Sequence, residues 1–215
     1  MNTHHIKNQI ALVGLGGVGT TSLGNALVRR FGDSGITWRL IQASSLMRRM
    51  ATEQNNPCTD ADLHQLQGNL AASKDYGLDR MIDAETARLA NEGNYIIIDG
   101  RCAALLMPEA YTVYLYADPI TRVARVAPRE NAKELRLALP DESYVPSMSD
   151  IAKVASMLET REARDDARYL ALHGFNGIAN QCVFDLVIDT TRMTPSAVED
   201  IVMDGYSRAI MARGL

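Results

Sequence analysis

Short apolar runs alternate along the chain with longer segments in which apolar residues recur every three or four positions. The runs lack a strict apolar and polar alternation, which is typical of strands covered on both faces of a sheet. They predict five strands, at 9–14, 36–43, 95–98, 112–116 and 183–188. The helical spacing predicts helices at 20–31, 44–52, 73–91, 150–173 and 196–212, and a further helix that begins at Asp118-Pro119.

The regular alternation of strands and helices indicates how the elements are arranged. Strands joined through helices form parallel sheets, because each connection must cross back over the sheet. We therefore expect one α/β domain over residues 1–215, with helices on both faces of a five-stranded parallel sheet of order 2-3-1-4-5. Ligands of such sheets bind at the carboxyl ends of the strands.

Residues 129–149 interrupt this pattern. The segment is rich in charged residues, contains Pro140 and Pro146 and has no sustained apolar stripe. We expect it to be a mobile insertion in the domain rather than a part of its core.

Composition and charge narrow the classes of function. The 215 residues carry a formal net charge of −4, so no broad cationic surface suggests a nucleic acid or an anionic membrane as partner. No apolar run approaches the roughly 18 residues of a membrane span, and the polar N-terminus does not have the pattern of a signal peptide.

The three cysteines, Cys58, Cys102 and Cys182, stand singly without a metal-ligand spacing. We expect a cytoplasmic protein with reduced thiols, as a monomer or a homodimer.

A glycine-rich loop follows the first predicted strand and opens the first predicted helix. It reads Gly14-Leu-Gly-Gly-Val-Gly19-Thr20-Thr21. Gly14, Gly19 and Thr21 match the P-loop pattern G-x-x-x-x-G-K-[ST], in which backbone N–H groups hold nucleotide phosphates and the hydroxyl meets Mg²⁺. Thr20 stands at the lysine position of that pattern. The candidate phosphate-binding residues are Gly14, Gly16, Gly17, Gly19, Thr20 and Thr21.

The same glycines also match a second pattern. Gly14, Gly16 and Gly19 fit the G-x-G-x-x-G loop of dinucleotide-binding folds, which needs an acidic residue at the end of the second strand for a ribose hydroxyl. The second predicted strand ends without one, and Arg39, which could serve NADP, lies inside that strand. The loop alone therefore predicts a phosphate site and leaves two kinds of nucleotide open.

Arginines occur in most of the elements that would face this edge of the sheet. A guanidinium group can donate two parallel hydrogen bonds to phosphate oxygens and keeps its charge, so enzymes that transfer phosphoryl groups collect such residues. A single arginine considered alone is more often a surface residue in contact with solvent. The set comprises Arg48, Arg101, Arg122, Arg125, Arg129, Arg161 and Arg168.

The order of these residues resembles that of the nucleoside monophosphate kinases, and of their cytidylate kinase-like group in particular. Six segments after the glycine loop carry the resemblance, at 43–48, 79–83, 98–101, 117–130, 161–169 and 184–190. They include Ile98-Asp-Gly-Arg101 after the third strand and an R-x-x-x-D-x-x-R pattern that begins at Arg161. Each motif is weak alone, but their order and spacing agree over almost the whole chain.

The resemblance implies a fold of the three-layer P-loop NTPase type and a role for each candidate residue. ATP and Mg²⁺ would occupy the glycine loop, with Thr21 and Asp99 at the metal, and residues 129–149 would be a lid. The implied reaction transfers phosphate from ATP to (d)CMP or a related nucleoside monophosphate. The substrate would be bound by Arg48, Asp79, Asp83, Arg101 and Asp165, and catalysis would depend on Arg125, Arg129, Arg161 and Arg168.

Two positions depart from the family pattern and keep other functions open. Thr20 replaces the P-loop lysine, and loss of a comparable contact costs on the order of 3 kcal/mol, or a hundredfold in rate. Gln42 stands where a hydroxyl residue is expected, with serines displaced to Ser44 and Ser45. A nucleotide-binding regulator on the same fold is therefore the alternative, and an NADP-dependent oxidoreductase, supported by the three glycines alone, is the third interpretation.

Some candidate residues also have an ordinary structural interpretation. Asp99 could cap a helix or pair with Arg101, and Asp165 could orient its neighbouring arginines rather than act as a base. His64 and His173 have no partner at a recognisable spacing, so we expect them to be structural or solvated.

Overall fold

Five parallel strands form one sheet. The computed structural model describes residues 8–53, 76–134, 147–174 and 184–212, without the side chains of residues 51, 53 and 128–134. The strands are β1 (Gln9–Gly14), β2 (Arg39–Gln42), β3 (Ile96–Asp99), β4 (Tyr111–Tyr116) and β5 (Leu186–Asp189). Their order is β2-β3-β1-β4-β5 and every neighbouring pair is parallel, which confirms the predicted sheet.

Seven helices surround the sheet in the described part of the chain. They are α1 (Thr20–Asp33), α2 (Ala43–Glu53), α3 (Gly77–Glu92), α4 (Ala103–Leu106), α5 (Pro119–Glu134), α6 (Met148–His173) and α7 (Pro195–Ala212). The four-residue α4 was not predicted, since it is too short to show a helical stripe in the sequence.

The central strand β1 shows why helices cover both faces. Its side chains alternate, so that Ile10 and Leu12 enter one apolar core and Ala11 and Val13 enter the other. The first core is completed by α1 and α7, and the second by α2, α3, α4 and α6. All four residues are fully buried, which explains the apolar run without alternation.

Side-chain caps fix several helix starts. Asp118 accepts a hydrogen bond from the backbone N–H of Thr121 at 2.8 Å, which confirms the predicted start of α5. At α6, Ser147 and Asp150 form a reciprocal capping box, so this helix begins two residues before the predicted start. The Thr194 hydroxyl caps α7 through Ala197.

The last strand starts later than its apolar run predicts. Asp185 accepts hydrogen bonds from the backbone N–H and the hydroxyl of Thr112, at 2.8 and 2.9 Å. These side-chain bonds replace the backbone ladder next to β4, so β5 begins only at Leu186.

The predicted lid, 129–149, lies mainly outside the described residues. Residues 129–134 continue α5, and residues 147–149 form the cap and the first turn of α6. The side chain of Arg129 is not among those described, and the lid stays a prediction. None of the described helices combines the length and the apolarity that a membrane span requires.

Candidate active site

A cleft of about 840 Å³ opens at the carboxyl edge of the sheet. The glycine loop after β1 forms one side of it, and side chains of α2, α3 and α6 form the other. Of the candidate site residues, only Arg129 is missing from its lining, and the side chain of that arginine is not described. The fold thus gathers at one place residues that are far apart in sequence.

The glycine loop has the shape of an anion site. Gly17 and Gly19 have φ angles of 87° and 101°, which favour glycine, and a Cβ at Gly17 would lie 2.7 Å from the carbonyl oxygen of Arg122. No side chain caps α1 at Gly19. The N–H groups of the first turn, which begins at Thr20, therefore have no partner within the helix and suit a phosphate group.

Thr21 and Asp99 meet beside this loop. The Thr21 hydroxyl donates a hydrogen bond of 2.6 Å to an Asp99 carboxylate oxygen. Burial raises the pKa of Asp99, and hydrogen bonds from Thr21 and Thr20 partly oppose that rise. Hydroxyl and carboxylate oxygens are the ligands that Mg²⁺ prefers, so these two residues fit the metal site that the resemblance implies.

Arg125 lies against the back of the loop. Its guanidinium group donates hydrogen bonds to the carbonyl and the hydroxyl oxygen of Thr190, at 2.6 and 3.0 Å, and to the Gly17 carbonyl at 3.4 Å. The resemblance gives Arg125 a catalytic role, which would place it at the transferring phosphate. In the structure these bonds fix it near the loop instead.

Arg122 belongs to the predicted set of arginines at this edge, although the resemblance assigns it no individual role, and it supports the loop in a similar way. It is buried, donates to the Gly16 carbonyl at 2.8 Å and forms an ion pair with Glu162 of α6. The loop, α5 and α6 are thereby joined through one guanidinium group. Because 40 residues separate Arg122 from Glu162, no local spacing in the sequence signals this pair.

Asp165 is the centre of an ion-pair network on the opposite side of the cleft. It is buried, pairs with Arg101 and with Arg168, the latter at 2.7 Å, and lies 3.9 Å from Arg161. Arg168 also reaches Asp79 at 3.3 Å. Asp165 thus holds three arginines in place, as its structural interpretation expects.

Arg161 is the most exposed of these three arginines. Its side chain keeps 37% of its surface exposed, against 11% for Arg101 and 8% for Arg168. Its closest approach to Asp165 is also the longest of the three. Arg161 is therefore the least neutralised member of the network and the one best placed to meet an anion in the cleft.

Arg48 is oriented by the residues that depart from the family pattern. It donates to the Ser45 hydroxyl at 3.1 Å, and Ser45 donates to the side-chain carbonyl of Gln42 at 3.1 Å. The displaced serine and the unexpected glutamine thus form one chain of hydrogen bonds that ends at Arg48.

Asp83 has a neighbour that sequence reasoning missed. The carboxylate lies 3.1 Å from Nε2 of His173, at the end of α6. Burial raises the pKa of Asp83, and the contact with His173 opposes that rise. Ninety residues separate the two, so only the packing of α6 against α3 brings them together.

Comparison with known proteins agrees with this geometry. The model of the cytidylate kinase-like family matches residues 10–192. The chain belongs to the cytidylate kinase-like family. A cytidylate kinase from Sulfurisphaera tokodaii is 25% identical over 199 residues, which are 92% of this chain and 96% of that protein.

Solved structures share the fold of this cytidylate kinase-like chain. An uncharacterized protein from Eubacterium ventriosum has a TM-score of 0.59 at 15% identity and matches over 91% of this chain and 96% of its own. A shikimate kinase from Bacteroides thetaiotaomicron has a TM-score of 0.51 at 15% identity, over the same shares of the two chains. The fold is thus the P-loop kinase type that the resemblance implies, and membership of the family supports a phosphotransferase of the nucleoside monophosphate kinase type that uses ATP.

Proposed function

We propose that this chain transfers the γ-phosphoryl group of ATP to CMP, dCMP or a related nucleoside monophosphate, with Mg²⁺. One observation carries the proposal: a loop built to hold phosphates and a network of arginines line the same cleft. Two anions that react with each other need this arrangement, because each must be held and neutralised while their reacting atoms are brought together.

The donor side is the glycine loop. Its backbone N–H groups and the first turn of α1 bind the ATP phosphates, and Thr21 and Asp99 hold Mg²⁺ directly or through water. When bound, the metal neutralises charge on the phosphate oxygens. The cation that replaces the P-loop lysine is Arg125 or Arg129, and Arg125 already lies beside the loop.

The acceptor side is the arginine network. Arg48, Arg101 and Arg161 bind the monophosphate, since each guanidinium group has five donors and an ion pair with one carboxylate leaves some of them for phosphate oxygens. Asp165 fixes the orientation of Arg101 and Arg161 and does not act as a base, because its oxygens are already engaged by arginines.

The base site contains carboxylates. Asp79 and Asp83 lie on one face of α3, four residues apart, and both line the cleft. A carboxylate accepts hydrogen bonds from the exocyclic amino group of cytosine. These two residues therefore favour a base that offers an amino group over uracil.

A coupled assay tests the proposal. Purified chain is supplied with ATP, Mg²⁺ and, in turn, CMP, dCMP, UMP, AMP and GMP, and nucleoside diphosphate formation is measured. We expect transfer to CMP or dCMP to be the fastest. Arg161→Ala should lower the rate on the order of a hundredfold, whereas Arg208→Ala, at a surface ion pair 74% exposed, should leave it unchanged. If none of the five monophosphates is phosphorylated, the proposal is contradicted.

The alternative function is a nucleotide-binding regulator, and Thr20 is the residue that favours it. Threonine offers a hydroxyl and an N–H group but no positive charge, so nucleotide could bind while transfer is slow. Thermal shifts with ATP and CMP, with and without Mg²⁺, separate the two functions when combined with the assay. Strong shifts without transfer indicate the regulator.

The geometry disfavours the NADP interpretation. Arg39 is the first residue of β2 and pairs in register with Ile96, three residues before the end of β3 at Asp99. At about 3.3 Å per residue, it lies roughly 10 Å from the carboxyl edge where a ribose would bind.

A further inference from the structure

Three side chains with different ligand chemistry converge beside the acceptor side of the cleft. A carboxylate oxygen of Asp83, the sulfur of Cys102 and an imidazole nitrogen of His173 all lie within 4.8 Å of one another. They come from α3, from the turn after β3 and from the end of α6. The fold, and not a local sequence motif, brings them together.

The three elements hold these side chains firmly. Cys102 is buried, and the side chains of Asp83 and His173 are 21% and 18% exposed. Cys102 and Asp83 line the cleft, so the point between the three groups can be reached from it. The cluster is thus largely shielded from bulk water.

The ion pair accounts for Asp83 and His173, and the third member, Cys102, lies in the apolar core with a side-chain hydrogen bond to Tyr169. A thiol adds little to such a pair, whereas sulfur, imidazole and carboxylate together are a ligand set of zinc sites. Zinc binds sulfur at about 2.3 Å and nitrogen at about 2.0 Å, so tetrahedral ligand atoms lie within roughly 4 Å of one another. The three ligand atoms lie within 4.8 Å of one another, so small side-chain movements would bring them to that geometry.

The charges around the cluster permit a cation. Arg168 acts electrostatically on Asp83 and Cys102, and it is already paired with Asp79 and Asp165. Asp83 adds a negative charge to the cluster, and its ion-pair contact among the described residues is with His173, whose neutral imidazole can bind a metal.

We propose that Asp83, Cys102 and His173 form a binding site for a divalent transition-metal cation of the zinc type. This site is separate from the Mg²⁺ position at Thr21 and Asp99. It shares Asp83 with the proposed base site, but metal binding rests on the three side chains alone and does not require phosphoryl transfer. Binding replaces the thiol proton of Cys102 by a metal–sulfur bond and releases that proton to solvent. The fourth ligand is water or a molecule in the cleft, as in zinc sites with three protein ligands.

The test uses the full chain in a background without competing ligands. In that background His4, His5 and His64 are replaced by glutamine and Cys58 and Cys182 by serine, so that Cys102 and His173 are the only cysteine and histidine. Co²⁺ is titrated as the spectroscopic probe and Zn²⁺ as its competitor. We expect one Co²⁺ per chain, a sulfur-to-cobalt charge-transfer band and displacement of that band by Zn²⁺.

Single replacements in this background locate the site. Cys102→Ser should abolish the charge-transfer band, and Asp83→Asn and His173→Gln should each weaken binding at least about tenfold. Glu85→Gln is the matched control, since this glutamate lies on the same helix but pairs with Arg88 and Arg49. Circular dichroism without metal checks that each variant is folded.

Two results would overturn the site. One is Co²⁺ binding with no charge-transfer band in a folded protein. The other is an affinity that is the same in the background and in Cys102→Ser. Because neither readout involves phosphoryl transfer, the outcome is independent of the kinase assay.

Discussion

The hydroxyl of Thr21 donates a 2.6 Å hydrogen bond to the carboxylate of Asp99 and thereby joins the first turn of α1 to the end of β3. Asp99 has no ion-pair partner among the described residues, and burial raises its pKa. A negative charge held at this place without a cation is unfavourable. A bound metal ion would offset this charge. The charge of Asp99 is therefore unfavourable without metal and favourable at the proposed Mg²⁺ site.

Replacing Asp99 by Asn should therefore stabilise the protein when no metal or nucleotide is present. The pKa of Asp99 in the folded chain is raised above its usual value of 3.8, so ionisation destabilises the fold as pH rises from that value through the folded-state pKa. Urea unfolding of the variant and the parent protein should agree below pH 3.8 and diverge at higher pH, with Asp99→Asn the more stable at pH 7. Equal stability at pH 7 would contradict the assigned cost of the charge.

Removing the charge of Asp165 should have the opposite effect. Asp165→Asn removes the buried carboxylate that pairs with Arg101 and leaves Arg168 with Asp79 alone, and breaking a buried pair costs about 3–5 kcal/mol. Urea unfolding measures this loss. The control is Asp204→Asn in the exposed pair with Arg208, where the change should stay below about 1 kcal/mol. A loss as small as the control's would show that the network does not stabilise the fold.

The conformation of the glycine loop can be tested with two glycines. Gly17→Ala places a Cβ 2.7 Å from the carbonyl oxygen of Arg122 at a φ of +87°, and the left-handed backbone alone costs about 1–2 kcal/mol. Gly32→Ala, inside α1 with no atom within 4 Å of its Cβ, should be neutral or stabilise the chain by up to about 1 kcal/mol. Thermal unfolding of both variants gives the comparison. Similar effects of the two would argue against the strained loop.

The fold could be predicted from the sequence because local physics determines most of it. Buried strands give apolar runs, amphipathic helices give stripes, and Asp118 and Thr194 mark helix starts through their capping chemistry. Once the elements are known, the rules for connections between parallel strands leave only a few possible strand orders. The missed α4 and the late start of β5 both depend on contacts, such as that of Asp185 with Thr112, which the local sequence does not show.

The candidate site could be predicted only in part, because its partners come from distant elements. The glycine loop and the set of arginines are visible as motifs. The pairing of those arginines is not, since Arg101 and Asp165 are 64 residues apart and meet only when α6 packs on the sheet. The contact between Asp83 and His173 likewise joins residues that are far apart in the sequence.

The residue that separates an enzyme from a regulator is Thr20. In the P-loop pattern a lysine at this position brings positive charge to the transferring phosphoryl group. Among the described residues, the cationic side chains that donate hydrogen bonds to the loop carbonyls are Arg122 and Arg125. If Arg125 supplies the missing charge, Arg125→Ala should reduce the transfer rate on the order of a hundredfold, well beyond its effect on ATP affinity. Thr20→Lys in that variant should restore part of the rate, because the new ammonium group reaches the same phosphates. Initial rates at saturating ATP, together with ATP dissociation constants, measure both effects. A chain that binds ATP, transfers nothing and gains no activity from Thr20→Lys would instead be a regulator.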